Sequence, residues 1–390
     1  MKIKNKEKTI IYVNFAPYEN AGGILDFLKK KFKYVALFSF SFHRLNKRLE
    51  NNKLKVYFSG KKVDSKNLFD FQVPEKLIFL FLPIRSILIF LQIIFYTIYL
   101  TYTYGGFENY FTVNAFTAWT GNILKKTGFV KKTIFWVYDY YPPFHENKTI
   151  VFMRWLYWQF DKWATKSDML VFLNSRIVKL RKEIGVLSDR DRYKIIPIGT
   201  TNKSKRGSRN LKPNSKIKLV FLGVMKKSQG LNLIFECSNQ IATTFPNLEI
   251  NIIGDGPDLE YFKSNGEKTN LKIKYHGYPS DNDIDEILGK SHIGIATYIP
   301  NQENVSYYGD PSKIKGYLSF GLPVITTNVF EFSKEIKSFN AGVLIGYKKE
   351  NMIKAITKIV NNYSFYRSGA KKLAKKYYYK NLYPNMFKPY

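Results

Sequence analysis

The stretch Tyr307-Tyr308-Gly309-Asp310-Pro311-Ser312-Lys313-Ile314-Lys315-Gly316-Tyr317-Leu318-Ser319-Phe320-Gly321-Leu322-Pro323-Val324-Ile325-Thr326 decides how this chain is read. Asp310 is a fitting helix N-cap, Pro311 suits the first helical position, and Gly321 ends the helix before an apolar strand opens at Pro323. A short helix over 310–320 therefore points its N-terminus at the crevice beyond a strand end. Open backbone N–H groups there suit a phosphate, whereas the helix dipole disfavours a cation in the same turn. Lys313 stands in that turn. Its bland reading is a solvated surface lysine; its functional reading is an ammonium that meets a diphosphate.

Outward from this element, apolar strands are expected at 217–222, 248–253, 272–275, 293–296, 324–326 and 343–345. Helical segments at 231–242, 259–264, 283–288, 310–320 and 352–361 separate them. The N-terminal half repeats the pattern. Strands at 10–15, 34–40, near 55, and at 109–114, 133–137, 169–173 and 194–197 alternate with helices at 24–31, 116–126 and 154–166. Such alternation requires parallel strands joined by right-handed crossovers. The polar stretch GTTNKSKRGSRNLKPNSK, residues 199–216, reads as a linker between two halves. The expected architecture is α/β, with two Rossmann-like domains facing across a cleft. The N-terminal domain spans 1–199, the linker 200–216 and the C-terminal domain 217–365, and a Lys/Tyr-rich tail, 366–390, crosses back to the N-terminal domain.

With 62 Lys and Arg against 30 Asp and Glu, the 390-residue chain carries a formal charge of +32 and is drawn to phosphates in nucleic acid, anionic lipid or nucleotide substrates. The lysines are spread along the chain and no zinc-finger, RRM or KH pattern occurs, so nucleic acid is not the expected partner. The lone Cys237 excludes an internal disulfide and any Cys-based metal cluster, and the charged start before Ile10 leads into too short an apolar run for a signal sequence. A cytoplasmic protein is expected. No metal is expected either, because the Asp-x-Asp pairs at Asp189/Asp191 and Asp283/Asp285 flank helices or turns, where capping explains them.

Leu77 to Tyr104 is dense in Leu, Ile, Phe and Tyr, and from Ser86 onward holds no charge. Three readings fit: a buried core helix, a helix in the plane of a membrane interface, or a span, for which about 17 to 20 residues suffice. The tyrosines and the basic chain favour the interface, which places the protein peripherally at the inner face of the plasma membrane on an anionic surface.

Phe221-Leu-Gly223, Ile252-Ile-Gly254-Asp-Gly256-Pro257, Tyr275-His-Gly277-Tyr278 and Asp310-Pro-Ser-Lys313 through Gly321-Leu-Pro323 follow in order; Val137-Tyr-Asp139-Tyr-Tyr-Pro142 and Asp161-Lys-Trp-Ala lie upstream. With these motifs the chain resembles the family 4 retaining glycosyltransferases of the GT-B fold, especially bacterial members that build surface polysaccharides such as lipopolysaccharide. The resemblance implies a metal-independent hexosyltransferase without a cofactor, moving sugar from a nucleotide-sugar donor to a lipid-linked or polysaccharide acceptor. It puts Gly22 and Gly23 beside the transferred sugar and diphosphate, Gly277 and Tyr278 near the base, and Asp310, Ser312 and Lys313 near phosphates and sugar. Gly22 and Gly23 read equally as a plain turn. The family's paired glutamates are replaced by Tyr308 and Gly316, and its phosphate-contacting Arg and Lys by Val224 and Gln229. Lys226 and Lys227 in the same loop are candidate substitutes. Asp139, at a strand end among aromatics, either orients the acceptor hydroxyl or caps the Pro142-Pro143 loop. The departures leave a non-catalytic GT-B scaffold as the rival reading.

Overall fold

The computed structural model describes residues 8–16, 18–40, 52–70, 77–138, 140–142, 145, 147–203, 211, 215–300 and 305–390. The chain forms two compact units, Met1–Pro197 with Leu382–Tyr390, and Ile198–Asn381.

The first unit holds eight strands: β1 (Thr9–Asn14), β2 (Tyr34–Ser39), β3 (Lys53–Phe58), β4 (Lys61–Asn67), β5 (Asn109–Thr112), β6 (Lys132–Val137), β7 (Met169–Phe172) and β8 (Tyr193–Ile195). They lie in the order β4-β3-β2-β1-β5-β6-β7-β8. From β2 to β8 every pairing is parallel, while β3 and β4 add antiparallel at the edge. β1 is buried at all of its positions, as a parallel strand covered on both faces must be. β4, KKVDSKN, escapes sequence analysis because it has no apolar alternation. Ser59 and Gly60, both at positive φ (46° and 81°), turn the chain into it, and its lysines keep a bare edge from pairing with other chains.

The helices of this unit include α1 (Ile24–Lys31), α2 (Ile78–Tyr104) and α3 (Ala115–Lys126), with α4 (Lys148–Ala164) packed on both α2 and α3. Asp161 of the upstream motif is not at a site. It is buried on α4 with Arg181 at 2.9 Å, both 1 % exposed.

The second unit is a six-stranded parallel sheet of β9 (Ile217–Leu222), β10 (Leu248–Ile253), β11 (Lys272–Tyr275), β12 (Ile293–Ala296), β13 (Val324–Thr327) and β14 (Gly342–Ile345), ordered β11-β10-β9-β12-β13-β14. That order reverses direction between β9 and β12, where an open α/β sheet leaves a ligand crevice at its carboxyl edge. Leu219, Phe221, Ile250, Ile252, Ile295 and Ile325 fill the core beneath. Against it lie α5 (Ser312–Ser319) and α6 (Tyr363–Lys376).

Two boundaries differ from the sequence reading. Thr200 is buried and pairs with Tyr378, and Lys203 grips Asp285 at 2.6 Å, so the segment read as the start of a linker is packed structure of the second unit. Residues 204–210 and 212–214 of that linker lie outside the described residues. The tail also starts later than expected. Tyr366, Ala370, Leu373 and Ala374 give α6 a helical stripe buried in the second unit, and only Leu382–Tyr390 belong to the first. There the aromatic residues are anchors: Tyr383 packs on Trp136 and Phe27, Phe387 on Phe32 and Phe111, and the Tyr390 hydroxyl accepts from the Leu170 amide.

Candidate functional site

The reversal between β9 and β12 is closed by one tyrosine. The Leu222 amide donates to the Tyr317 hydroxyl at 2.7 Å, and that hydroxyl donates to the Ile295 carbonyl at 3.3 Å, tying α5 to both strands. The ring lies so close to β12 that a Cβ on Gly294 would come within 2.4 Å of it. One turn earlier on the same helix face stands Lys313. Its position over the crevice thus follows from Tyr317.

The Lys313 ammonium is enclosed by the rings of Phe221 at 4.5 Å and Tyr298 at 4.6 Å and donates to Gln229 Oε1 at 3.1 Å. It lies over Gly223, where a Cβ would approach to 2.9 Å. Gln229 is held there by Gly230, whose left-handed turn (φ 75°) lets the backbone press against the Thr297 carbonyl; any side chain at 230 would overlap that oxygen. Among the described residues no carboxylate lies within ion-pair distance of Lys313. Burial lowers its pKa from 10.5 to about 7.

Two residues further along α5 the contrast is plain. Lys315 is 1 % exposed but has its counter-ion: Asp310, 4 % exposed, accepts from it at 2.6 and 2.7 Å, and the Ile198 carbonyl takes a third bond at 2.8 Å. Burial pushes the Asp310 carboxyl up and the Lys315 ammonium down, each opposed by the partner's charge. The expected N-cap role of Asp310 is thereby corrected: its two oxygens engage Lys315 and the Ile198 amide, 2.5 Å away. The helix begins at Ser312 with Pro311 as its cap residue and no side-chain cap. Pro311 has no N–H and the Ser312 amide bonds the Asp310 carbonyl, which leaves the amides of Lys313 and Ile314 as first-turn donors without an intrahelical acceptor. Ser312 itself is exposed.

The other expected residues scatter. Gly254 passes its backbone so near the Gly223 carbonyl that a Cβ would lie 1.9 Å from that oxygen, and its amide bonds the Gly277 carbonyl at 2.8 Å, so the loops after β9, β10 and β11 form one crest. Gly277 and the exposed Tyr278 stand at its outer end. Lys226 is exposed, and Lys227 lies over the Tyr261 ring at 4.1 Å rather than beside Lys313. In the first unit Gly22 and Gly23 form a left-handed turn after β1 whose helix start is already capped: Asn20 Oδ1 accepts from the Leu25 and Asp26 amides at 2.9 and 3.2 Å. Tyr383 fixes the turn by donating to the Gly22 carbonyl at 2.9 Å. Asp139 lies outside the described residues.

Gln229, Phe221 and Tyr298 are not legible in the sequence as site residues; Gln229 is marked there only by replacing an expected lysine. Gly316, where the resemblance expects a glutamate, has open space around its Cβ position, so crowding does not account for the missing carboxylate. Gly316→Ala, in the interior of α5, is expected to stabilise the protein by about 0.5–1 kcal/mol in denaturant titration.

Comparison with known proteins adds three findings. Residues 202–377 match the family model of the glycosyl transferases, group 1. No curated protein sequence matches the chain. Among solved structures, the fold is similar to HepE from Anabaena in complex with UDP (12% identity, TM-score 0.60, 95% of each chain covered). It is also similar to an E. coli structure described as trehalose-6-phosphate bound with UDP-2-fluoro glucose (12% identity, TM-score 0.64, 98% of this chain and 99% of that one). A third likeness is WaaG, a glycosyltransferase involved in lipopolysaccharide biosynthesis (15% identity, TM-score 0.51, 71% of this chain and 90% of that one). The fold is GT-B.

Proposed function

We propose that this chain, a glycosyltransferase of GT-B type, moves a hexosyl group from a nucleoside-diphosphate sugar to a lipid-linked or polysaccharide acceptor in cell-surface glycan synthesis, with retention at the anomeric carbon and without a metal. One observation carries the reading: a half-buried lysine enclosed by two rings and a glutamine, with no carboxylate within ion-pair distance among the described residues, at the strand-order reversal, inside the region that matches group 1 glycosyl transferases. The nucleotide ligands in the similar structures of HepE and the E. coli protein support a nucleoside-diphosphate donor, and WaaG, involved in lipopolysaccharide biosynthesis, supports a role in cell-surface glycan synthesis.

In the reaction the bond between the anomeric carbon and the diphosphate oxygen breaks and the departing oxygen keeps the electron pair. The acceptor hydroxyl oxygen bonds to that carbon on the face the diphosphate leaves and gives up its proton to the departing diphosphate. Negative charge therefore grows on the diphosphate as the bond lengthens. The Lys313 ammonium and the amides of Lys313 and Ile314 are aimed where that charge appears, in a setting with little water to screen them.

A thermal-shift screen against UDP, GDP and CMP and their sugars tests the donor site. One diphosphate should raise Tm, since ligand at a hundred times Kd adds about 2.7 kcal/mol. No shift with any nucleotide would favour a non-catalytic scaffold, the reading that Tyr308 and Gly316 leave standing. NMR of the product's anomeric proton then decides between retention and inversion.

A further inference from the structure

The long helix of the first unit has two unlike faces. Arg85, Ile89, Ile93, Thr97 and Leu100 turn inward, the apolar members joining the unit's core and Arg85 bonding Asp70 with two contacts of 3.1 Å. On the opposite side Leu80, Ile84, Ile87, Leu91, Phe95 and Tyr102 are each more than half exposed, at 63, 51, 60, 54, 64 and 80 %. They recur mostly every three or four residues, so they form one stripe along 25 residues of apolar helix. No charge interrupts it, since the only charged residue between Leu80 and Tyr104 is the inward Arg85. The stripe widens where Leu91 and Phe95 meet the exposed Phe69, over an apolar groove of about 620 Å³; Gln92 pins Phe69 to the helix through its amide and carbonyl. An unbroken apolar face of this kind marks a docking surface.

At the C-terminal end of the helix, reached through Tyr104 on its inward face, lies a concentration of positive charge. Tyr104 lies 6.4 Å from the ring of Tyr34, which packs on Phe58 at 4.8 Å, and Lys33 covers Phe58 at 5.3 Å. Lys33 belongs to a basin of about 990 Å³ that it lines with Lys8, Lys29, Lys30, Lys31 and Lys61, against one carboxylate among the described residues, Asp26. Beside the helix runs the lysine-bearing edge strand β4, where Lys66 covers the Tyr99 ring at 4.9 Å.

We propose that the α2 stripe and the lysine basin at its end form one docking face for a bilayer with anionic headgroups, α2 lying in the plane of the interface. The inward face explains why it lies and does not cross: Ile89, Ile93 and Leu100 are core residues of the folded unit, and a span would pull them out. Aliphatic and aromatic side chains enter the acyl boundary, tyrosines sit at headgroup depth, and the lysines meet lipid phosphates within a Debye length. Charge separates this occupant from a second copy of the chain. Self-association through the same face would bring together molecules of formal charge +32, each with a lysine basin at the rim, whereas an anionic bilayer answers that charge.

The test is flotation of the full chain with phosphatidylcholine vesicles, with and without about 30 mol% phosphatidylglycerol, at low and high salt. The expected result is binding at least about tenfold stronger to the anionic vesicles and weakened by salt. Ile87→Asp with Leu91→Asp should abolish flotation, and Lys8→Gln with Lys30→Gln and Lys61→Gln should remove the preference for phosphatidylglycerol and the salt dependence. Circular dichroism and an unchanged cooperative thermal transition in these variants certify the fold; if the aspartates unfold the chain, Leu91→Ser with Phe95→Ser replaces them. The proposal is overturned if wild type stays unbound, if the stripe variants float like wild type, or if sedimentation shows a wild-type dimer that Leu91→Asp splits. Because the readout is lipid and not turnover, failure here leaves the donor reading untouched.

Discussion

Replacing Lys313 by alanine is expected to weaken the binding of the nucleoside diphosphate about 100-fold, close to 3 kcal/mol, and to lower turnover at least as much, while making the free protein more stable. The two halves of this result have one cause. An ammonium enclosed by Phe221, Tyr298 and Gln229 has given up hydration and, among the described residues, has no carboxylate in return. Until an anion arrives it is a cost to the fold; when one arrives it makes a charge-assisted bond in a low-dielectric setting. Lys313→Arg should not rescue binding, since Gly223 and two rings leave no room for a guanidinium.

The pH dependence follows from the direction in which burial moves this group. The pKa of Lys313 falls from 10.5 to about 7 on folding, so between these values the unfolded chain binds more protons than the folded one and stability rises with pH. The penalty is complete below about pH 7 and is relieved toward pH 10.5, at about 1.4 kcal/mol for each pH unit in between. Lys313→Ala should abolish this slope. Diphosphate favours the protonated form, so binding near pH 8 should take up close to one proton, measured by calorimetry in two buffers of different ionisation enthalpy. Equal heats in both buffers, together with full affinity in the alanine variant, would remove Lys313 from the site.

How much of this is legible in the sequence depends on whether a property is local. Strands such as β1 and β9, buried along most of their length, declare themselves as apolar runs, and Gly254 and Gly277 mark sharp strand exits. The polar edge strand β4 is invisible because its side chains are mostly exposed and so carry no apolar alternation. Lys313 stands out in the sequence as a cation against a helix dipole, yet the reason for its placement is Tyr317, whose hydroxyl links β9 and β12, strands about 70 residues apart in sequence. For Asp310 the local rule misleads. An aspartate before Pro-Ser at a helix start reads as a cap, and only the tertiary structure shows the carboxylate turned inward to Lys315 and Ile198. The Lys/Tyr tail is ambiguous for the same reason: its tyrosines resemble interfacial residues until Tyr383 and Phe387 are seen packed on Trp136 and Phe27.

Asp310→Ala is the substitution expected to damage stability most, by about 3–5 kcal/mol in urea unfolding. Lys315 would remain at 1 % exposure with its ammonium facing the rings of Tyr377 at 4.5 Å and Phe332 at 5.2 Å, and only the Ile198 carbonyl would still accept from it. The Ile198 amide would lose its acceptor as well. Asp310→Asn, which keeps an oxygen for that amide while removing the charge, should lose less than alanine. Lys315→Met alone strands the carboxylate in its turn, whereas Asp310→Asn with Lys315→Met removes both charges and should be less destabilised than the sum of its parts, a coupling of about 1–3 kcal/mol. The comparison with Lys313 is the sharpest check. Two lysines, two positions apart on one short helix, should respond oppositely: stripping the charge of Lys313 stabilises the fold and weakens binding about 100-fold, while stripping the partner of Lys315 destabilises the fold and, in the molecules that remain folded, leaves the affinity for the nucleoside diphosphate within about threefold. Should Asp310→Ala instead lie within about 1 kcal/mol of wild type, the pair is not what holds α5 over the crevice, and the placement of Lys313 rests on Tyr317 alone.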